Sequence, residues 1–355
     1  MTQGLSVRHD SQAFPRRPRQ AALIAGVAAA LGVTLLIYLG SGKFSRFDSP
    51  LAAYALATVL AAFAVTYRYA LWVQRPATWV YFLAGWRLFL RPHKLARNLA
   101  QLVRLLVDNI VVQKFIVERG KGRWLAHMSI AWGCLIAFAI TFPLSWGLIQ
   151  FGIGANGVDY TVEFIGVHVI SFPPDGIVAL LFFNGLNISA VLVLLGVGIA
   201  MHRRLFESGA QAVETFTNDF MPLFLLFAVS VTGLMITASY RLLDGAHFSF
   251  ISMLHAFTVI ILLLWLPFGK LFHVIQRTAQ LGVAYYKAEG STGPQAVCAR
   301  SGVAYQSQMH HDDLVRIMRE VGVDFGEHQE LSPQEKRRLV ALNQTAAMDD
   351  VPFVG

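Results

Sequence analysis

Three histidines in this 355-residue chain stand in apolar surroundings at spacings that could do chemistry. His255 and His273 lie 18 residues apart in one apolar run. Five turns of α-helix take about 18 residues, so a single helix would present both imidazoles on one face, about 27 Å apart along its axis and one near each leaflet. Ionisable side chains inside a membrane span are costly and usually functional, and neutral imidazole is an axial ligand for haem iron. Two stacked haem positions fit this pattern, as do two unrelated histidines at the ends of a span. His127, in Arg123-Trp124-Leu125-Ala126-His127-Met128, lies just inside another apolar run, at the depth expected for His273. The two are the natural ligand pair for an inner haem. Pro267, six residues before His273, either opens the helix locally by freeing the carbonyl four positions back, and so sets the ring's direction, or simply kinks it.

Such residues need helices that cross a membrane. The chain is 55% hydrophobic and only 14% charged, with a mean hydropathy of +0.52, against about 25% charged residues in soluble domains. That excludes a disordered chain and disfavours an ordinary soluble enzyme. Apolar runs long enough for a hydrocarbon core of about 30 Å occur at 21–39, 51–73, 124–149, 177–201, 219–239 and 249–273. The run at 21–39 is longer than a signal-peptide core, has no convincing cleavage site, and reads as a retained span. Residues 74–123 carry ten Lys/Arg against Asp108 and Glu118, whereas 150–176 carry none. By the positive-inside rule the first segment is cytoplasmic and the second faces outward. A multi-pass protein of a bacterial-type inner membrane with both termini cytoplasmic is expected. Lys43 and Arg46 fall on the outer side, against the rule. The net charge of +8 is then the usual basic inner face, together with the N-terminal Arg8, Arg16, Arg17 and Arg19, and not a nucleic-acid surface.

Between the second and third spans, residues 81–118 alternate apolar residues with Arg and Lys at helical spacing, as in Trp86, Leu90, Leu95, Leu99 and Leu102. This predicts interfacial amphipathic helices over about 76–122, which could also dock a soluble partner. The tail, 278–355, is polar and too small for a substantial core of its own. It opens on a Gly290-Ser291-Thr292-Gly293-Pro294 loop. A short helix follows over 312–320, and Ser332-Pro333-Gln334-Glu335 forms a capping box that starts another running to Leu342. Cys298-Ala299-Arg300-Ser301 is half of a Cys-x-x-Cys knuckle. With one thiolate it should not bind zinc tightly, although His310 and His311 nearby leave a weak site open. Two cysteines, Cys134 and Cys298, cannot hold an iron–sulfur cluster. His9, His93 and His328 read as solvated surface.

The last span, with His255-(x17)-His273 and the string Leu266-Pro267-Phe268-Gly269-Lys270-Leu271-Phe272-His273, resembles the final helix of the respiratory nitrate reductase gamma subunit and of the membrane cytochrome b of heterodisulfide reductases. The span from Arg123 through His127 resembles the family's second helix. The resemblance covers roughly residues 51–277. It implies an all-α polytopic membrane protein of six transmembrane helices, five of them a cytochrome b bundle, with an extra N-terminal helix (1–50) and a cytoplasmic docking tail (278–355). It further implies two haems b, electron exchange with a membrane quinone or quinol, and a cytoplasmic iron–sulfur partner of heterodisulfide reductase or nitrate reductase beta type. His127 and His273 match the cytoplasmic-side haem ligands, and His255 matches one ligand of the outer haem. The other outer ligand falls at Ala137, ten residues after His127, so that haem is absent or otherwise ligated. His168, in an apolar outer loop, is the best substitute. His202 reads as an interfacial flank of its span, and Arg203 or Arg204 could bond a haem propionate.

The expected function is a cytochrome b subunit passing electrons between quinone and a cytoplasmic iron–sulfur oxidoreductase through one or two haems b. His168, Asp175, Arg241, Asp244 and His247 are the outer-side candidates for quinone contact. The rivals are a haem-free membrane anchor and a transporter subunit whose path is lined by Asn184, Asn187 and Thr232. The lack of Asp, Glu or Lys deep in any span disfavours an ion-coupled carrier.

Overall fold

A computed structural model describes residues 17–44, 49–207, 209, 214–323 and 325–348. Arg8, His9, Arg16 and Arg46 lie outside the described residues. The helices run α1 (Pro18–Gly40), α2 (Ser49–Val73), α3 (Pro76–Phe89), α4 (Leu95–Leu106), α5 (Lys114–Val117), α6 (Lys121–Ser145), α7 (Ile177–Phe206), α8 (Met221–Leu242), α9 (Phe248–Trp265), α10 (His273–Gly290), α11 (Gln308–Glu320) and α12 (Pro333–Met348). Strands β1 (Ile149–Ile153), β2 (Tyr160–Phe164) and β3 (Val167–Phe172) lie between α6 and α7, and β4 (Gln295–Val297) and β5 (Ala304–Ser307) lie between α10 and α11. Among the described residues six helices are long and apolar enough to cross a membrane: α1, α2, α6, α7, α9, and α8 with the π-turn at Phe216–Phe220 that leads into it. They overlap all six expected spans with ends that differ by up to five residues, except that the last ends at Trp265, eight residues early. The chain is a largely helical multi-pass membrane protein.

Two compact units divide the chain: residues 19–70 with 108–276, and residues 71–107 with 277 onward. In the first, lipid supplies no hydrophobic force between helices, so close backbone approach does the packing. A Cβ at Gly133 of α6 would stand 2.6 Å from a Val193 methyl and 2.8 Å from the Ser189 carbonyl of α7. A Cβ at Gly196 of α7 would stand 2.5 Å from the Ala126 carbonyl of α6. The contact continues into a core of Ala126, Val193, Val197, Leu223, Leu226 and Leu262 that ties α6, α7, α8 and α9 together. Ala57 and Ala61 of α2 pack on Leu263 of α9, and Gly26 of α1 lets Phe63 of α2 approach.

The segment 150–176, expected as an apolar loop, folds as an antiparallel meander β1–β2–β3. Val162 and Phe172 pack on Ala179 at the start of α7, and Phe172 stacks on Phe182 with ring centres 5.6 Å apart. The meander's turns form where Gly157 and Gly166 take left-handed backbone angles (φ 72° and 76°).

The second unit departs from the expected division. The segment from α3 to α4, assigned by sequence to the bundle, packs with the tail. Tyr285 and Tyr286 of α10 are buried against Leu88 of α3, and Gly85 meets the backbone of Gly282. Lys94 and Arg97 pair with Glu289 at 2.8 and 3.1 Å, and the Lys94 bond holds that carboxyl below its usual range. Asn98, fully buried, donates to the carbonyls of Leu88 and Phe89 and so ties α4 to α3. The tail therefore borrows its core. Only the N-cap half of the box forms, with the Glu335 amide donating to Ser332 Oγ at 3.3 Å while the Ser332 amide goes to Cys298 Sγ, and the helix runs on to Met348.

Gly196→Val should force α6 from α7 and cost about 1–3 kcal/mol, read as an earlier midpoint in a denaturing-detergent titration. Gly198→Val, at a position with open space around it, should leave the midpoint unchanged.

Candidate functional site

His255 and His273 do not share a helix. α9 ends at Trp265, whose carbonyl accepts from the amides of Phe268 and Gly269 at 2.9 and 3.1 Å. A 3-10 turn over Lys270–Phe272 follows, and His273 opens α10. The cause is Pro267, which has no N–H and whose ring excludes the preceding turn's carbonyl. The sequence allows a mere opening or kink; the structure turns it into a corner. Carbonyls released in an apolar setting need donors. Arg68 of α2 supplies one: its guanidinium donates to the Pro267 carbonyl and lies 4.4 Å from the centre of the Phe272 ring. Lys270 pairs with buried Asp219, which also accepts the Thr215 amide at 2.9 Å. The corner is pinned on both sides.

This brings His273 to His127, at the start of α6. Their ring centres are 6.1 Å apart and their planes lie at 63°. His273 Nδ1 is 2.5 Å from the Lys270 carbonyl oxygen. A carbonyl only accepts, so Nδ1 carries the proton and Nε2 keeps its lone pair, the form that binds metal. An iron held between two imidazoles at about 2.0 Å from each nitrogen places the ring centres about 6 Å apart. The separation of the two rings matches that distance.

His255, midway along α9, is also fixed in a ligand tautomer. Its Nδ1 lies 2.9 Å from Thr232 Oγ1 of α8. That hydroxyl donates to the Ala228 carbonyl at 2.7 Å, so it accepts from Nδ1–H and leaves Nε2 with the lone pair. α6 carries no histidine beyond His127, and Ala137 stands ten residues after it. His168, the expected substitute, lies exposed on the edge strand β3 and bonds Ser171 Oγ at 2.8 Å. It stands in register with Glu163. The structure joins His127 with His273 and holds His255 and His168 with separate partners.

The remaining candidates take structural partners. His202 lies exposed with its ring 4.8 Å from Phe206. Arg203 and Arg204 both pair with Glu214, at 3.2 and 2.7 Å, so neither is held in reserve for a propionate. Arg241 donates to Asn184 at 3.3 Å, and Asn187 accepts from Thr237 at 2.8 Å. Asp244 and His247 take left-handed backbone angles in the turn between α8 and α9. Asp175 is exposed before α7. Asn184 and Asn187 border a shallow, open depression with Ile188, Val191 and Leu192 of α7.

Sequence reasoning missed Arg68 and Asp219. Each carried a signal: Arg68 is the one charged residue in 51–73, and Asp219 opens the fifth apolar run.

In the tail, Cys298 and the two neighbouring histidines do not form one site. His311 is buried between Tyr305, whose hydroxyl is 3.1 Å from Nδ1, and Glu330, 3.3 Å from Nε2. His310 stacks on Tyr81 at 5.3 Å. Among the described residues no group of three or more His, Cys, Asp or Glu could hold a bare metal ion. Cys298 Sγ instead accepts the Ser332 amide at 3.2 Å. The Ser301 hydroxyl first, then the amides of Ser332, Ser301 and Arg300, draw its thiol down to about 6 against the opposing effect of burial.

The thiolate's ultraviolet absorbance should therefore titrate near pH 6 and move up toward the ordinary thiol range in Ser301→Ala, with Cys298→Ser as the blank. A folded-state pKa below the unfolded one stabilises this turn above the unfolded thiol's pKa, and that gain is lost as pH falls through 6. An unshifted titration in Ser301→Ala would contradict this assignment.

No family model, curated protein or solved structure matches the chain.

Proposed function

We propose that this chain is a membrane cytochrome b subunit that holds one haem b between His127 and His273 and passes electrons between a membrane quinone and a cytoplasmic iron–sulfur oxidoreductase. The resemblance to the nitrate reductase gamma and heterodisulfide reductase cytochromes b named above points the same way. The observation that carries the reading is the meeting of two imidazoles from separate helices, 6.1 Å between ring centres, with His273 locked in the tautomer that binds metal. Haem b, when bound, supplies one-electron transfer. The chain's own residues do the rest: the Lys270 carbonyl holds the His273 proton, the Arg68–Pro267 bond holds the corner that aims the ring, and the α6–α7 contact holds His127. His255, fixed by Thr232, keeps a ligand-competent nitrogen in α9 without a paired imidazole.

A transporter path is less well supported. Thr232, Asn184 and Asn187 spend their polar atoms on the helix carbonyl of Ala228, on Arg241 and on Thr237. A haem-free anchor differs from the proposal in one observable. The purified chain should show a haem b α-band in its reduced-minus-oxidised spectrum and about one haem per chain by pyridine hemochrome. His273→Ala should abolish both signals, and His255→Ala should keep them. Absence of haem from the membrane-extracted wild type, or its survival in His273→Ala, would contradict the reading.

A further inference from the structure

The meander between α6 and α7 has two turns of opposite character. The β1–β2 turn is polar and bonded to itself: the Gly154 amide donates to the Asp159 carbonyl at 2.7 Å, and Asn156 Oδ1 accepts the amides of Val158 and Asp159 at 3.1 and 3.0 Å. The β2–β3 turn is Phe164-Ile165-Gly166-Val167, without a polar side chain. Phe164, Ile165 and Val167 are 45%, 54% and 67% exposed. Phe164 pairs with Val167, so Ile165 and Gly166 make a two-residue hairpin turn, with φ of 51° and 76°. A turn with positive φ at both central residues favours Asn or Asp before Gly, and a β-branched residue there is an outlier. The sequence keeps a large apolar side chain where the backbone disfavours it, which points to a use for that side chain.

Strand register decides which turn lies beside the span. α6 ends at Ser145, and β1 starts at Ile149. Ile149 pairs with Phe164, and the Ile165 amide donates to the Leu148 carbonyl at 2.8 Å. The apolar turn is therefore level with Leu148, two residues past Trp146 at the C-cap of α6. Trp is enriched where a span meets the headgroups. The polar turn lies at the opposite end of β1, about 14 Å further along the strand. The face of the meander toward α7 is already filled, by Val162 and Phe172 on Ala179, which leaves the turn residues uncovered. Charge does not oppose burial in lipid: residues 164–174 hold no Asp, Glu, Lys or Arg, and His168 is bonded to Ser171.

We propose that the β2–β3 turn inserts into the leaflet from which α6 emerges, with Phe164, Ile165 and Val167 against lipid acyl chains and the Asn156–Asp159 turn in water. An apolar tip without charge makes this contact hydrophobic and indifferent to headgroup charge. It holds whether or not the chain carries haem.

The test compares two valines of one meander with nearly equal exposure, Val167 at 67% and Val158 at 65%. Val167→Cys and Val158→Cys, each in a Cys134→Ala/Cys298→Ser background, are labelled with a nitroxide in the full chain in phosphatidylcholine nanodiscs. Collisions with oxygen, which concentrates in lipid, should exceed those with a water-soluble nickel chelate at 167, and the order should reverse at 158. Nickel-dominated collisions at 167 overturn the proposal, as does a label there shielded from both reagents, the mark of a face covered by protein. Oxygen dominance at both sites overturns the placing of the polar turn in water. The wild-type chain supplies a check that needs no substitution. A lipid-soluble carbene probe should modify residues 164–167 and spare 155–158, and a lack of adducts on 164–167 overturns the proposal.

Discussion

The structure of the candidate site depends on a proline in an apolar run. Pro267 cannot donate to the turn before it, and the corner that follows leaves backbone carbonyls that must find other donors in a setting without water. Arg68 reaches one of them, that of Pro267 itself, from α2 and lies against Phe272 five residues further on. Lys270, on the far side of the corner, is tied to Asp219. With both sides held, the chain can end α9 at Trp265 and restart at His273. A continuous helix would carry His273 in the direction set by α9 alone. The corner lets the ring be aimed independently, toward His127.

The other half of the pair is placed by a different force. α6 and α7 meet through Gly133 and Gly196, where a single added carbon would collide with backbone or branched side chains. That contact fixes the start of α6, and hence His127, against the core shared by four helices. His255 shows what the same fold does without a partner ring. Thr232 orders its tautomer, and α6 carries no histidine beyond His127. The arrangement is asymmetric, with one paired imidazole site and one single imidazole.

Much of this was legible in the residues. Hydropathy alone located all six spans, because apolar length is a one-dimensional property that tertiary structure seldom overrides. The approach of His127 to His273 was legible from matched depth near the ends of two runs. The common helix for His255 and His273 was not correct. Hydropathy stays high through Leu266 and Phe268, and whether a proline kinks or breaks a helix depends on donors elsewhere in the fold, here Arg68. The meander over 149–172 was hidden because its alternation is weak and its apolar residues face both ways: Val162 and Phe172 are buried while Val167 and Val169 are exposed. The union of α3 and α4 with the tail was hidden as well. Tyr285, Tyr286 and Glu289 read as ordinary polar-segment residues until their partners, Leu88, Lys94 and Arg97, are brought to them.

The most direct measurement is near-infrared magnetic circular dichroism of the oxidised wild-type protein, which reports the axial ligands of haem iron from their charge-transfer band. Two facing imidazoles predict the band of bis-histidine ligation and no high-spin component. An imidazole–thioether or five-coordinate spectrum, or a protein with no iron porphyrin, would show that His127 and His273 meet for another reason.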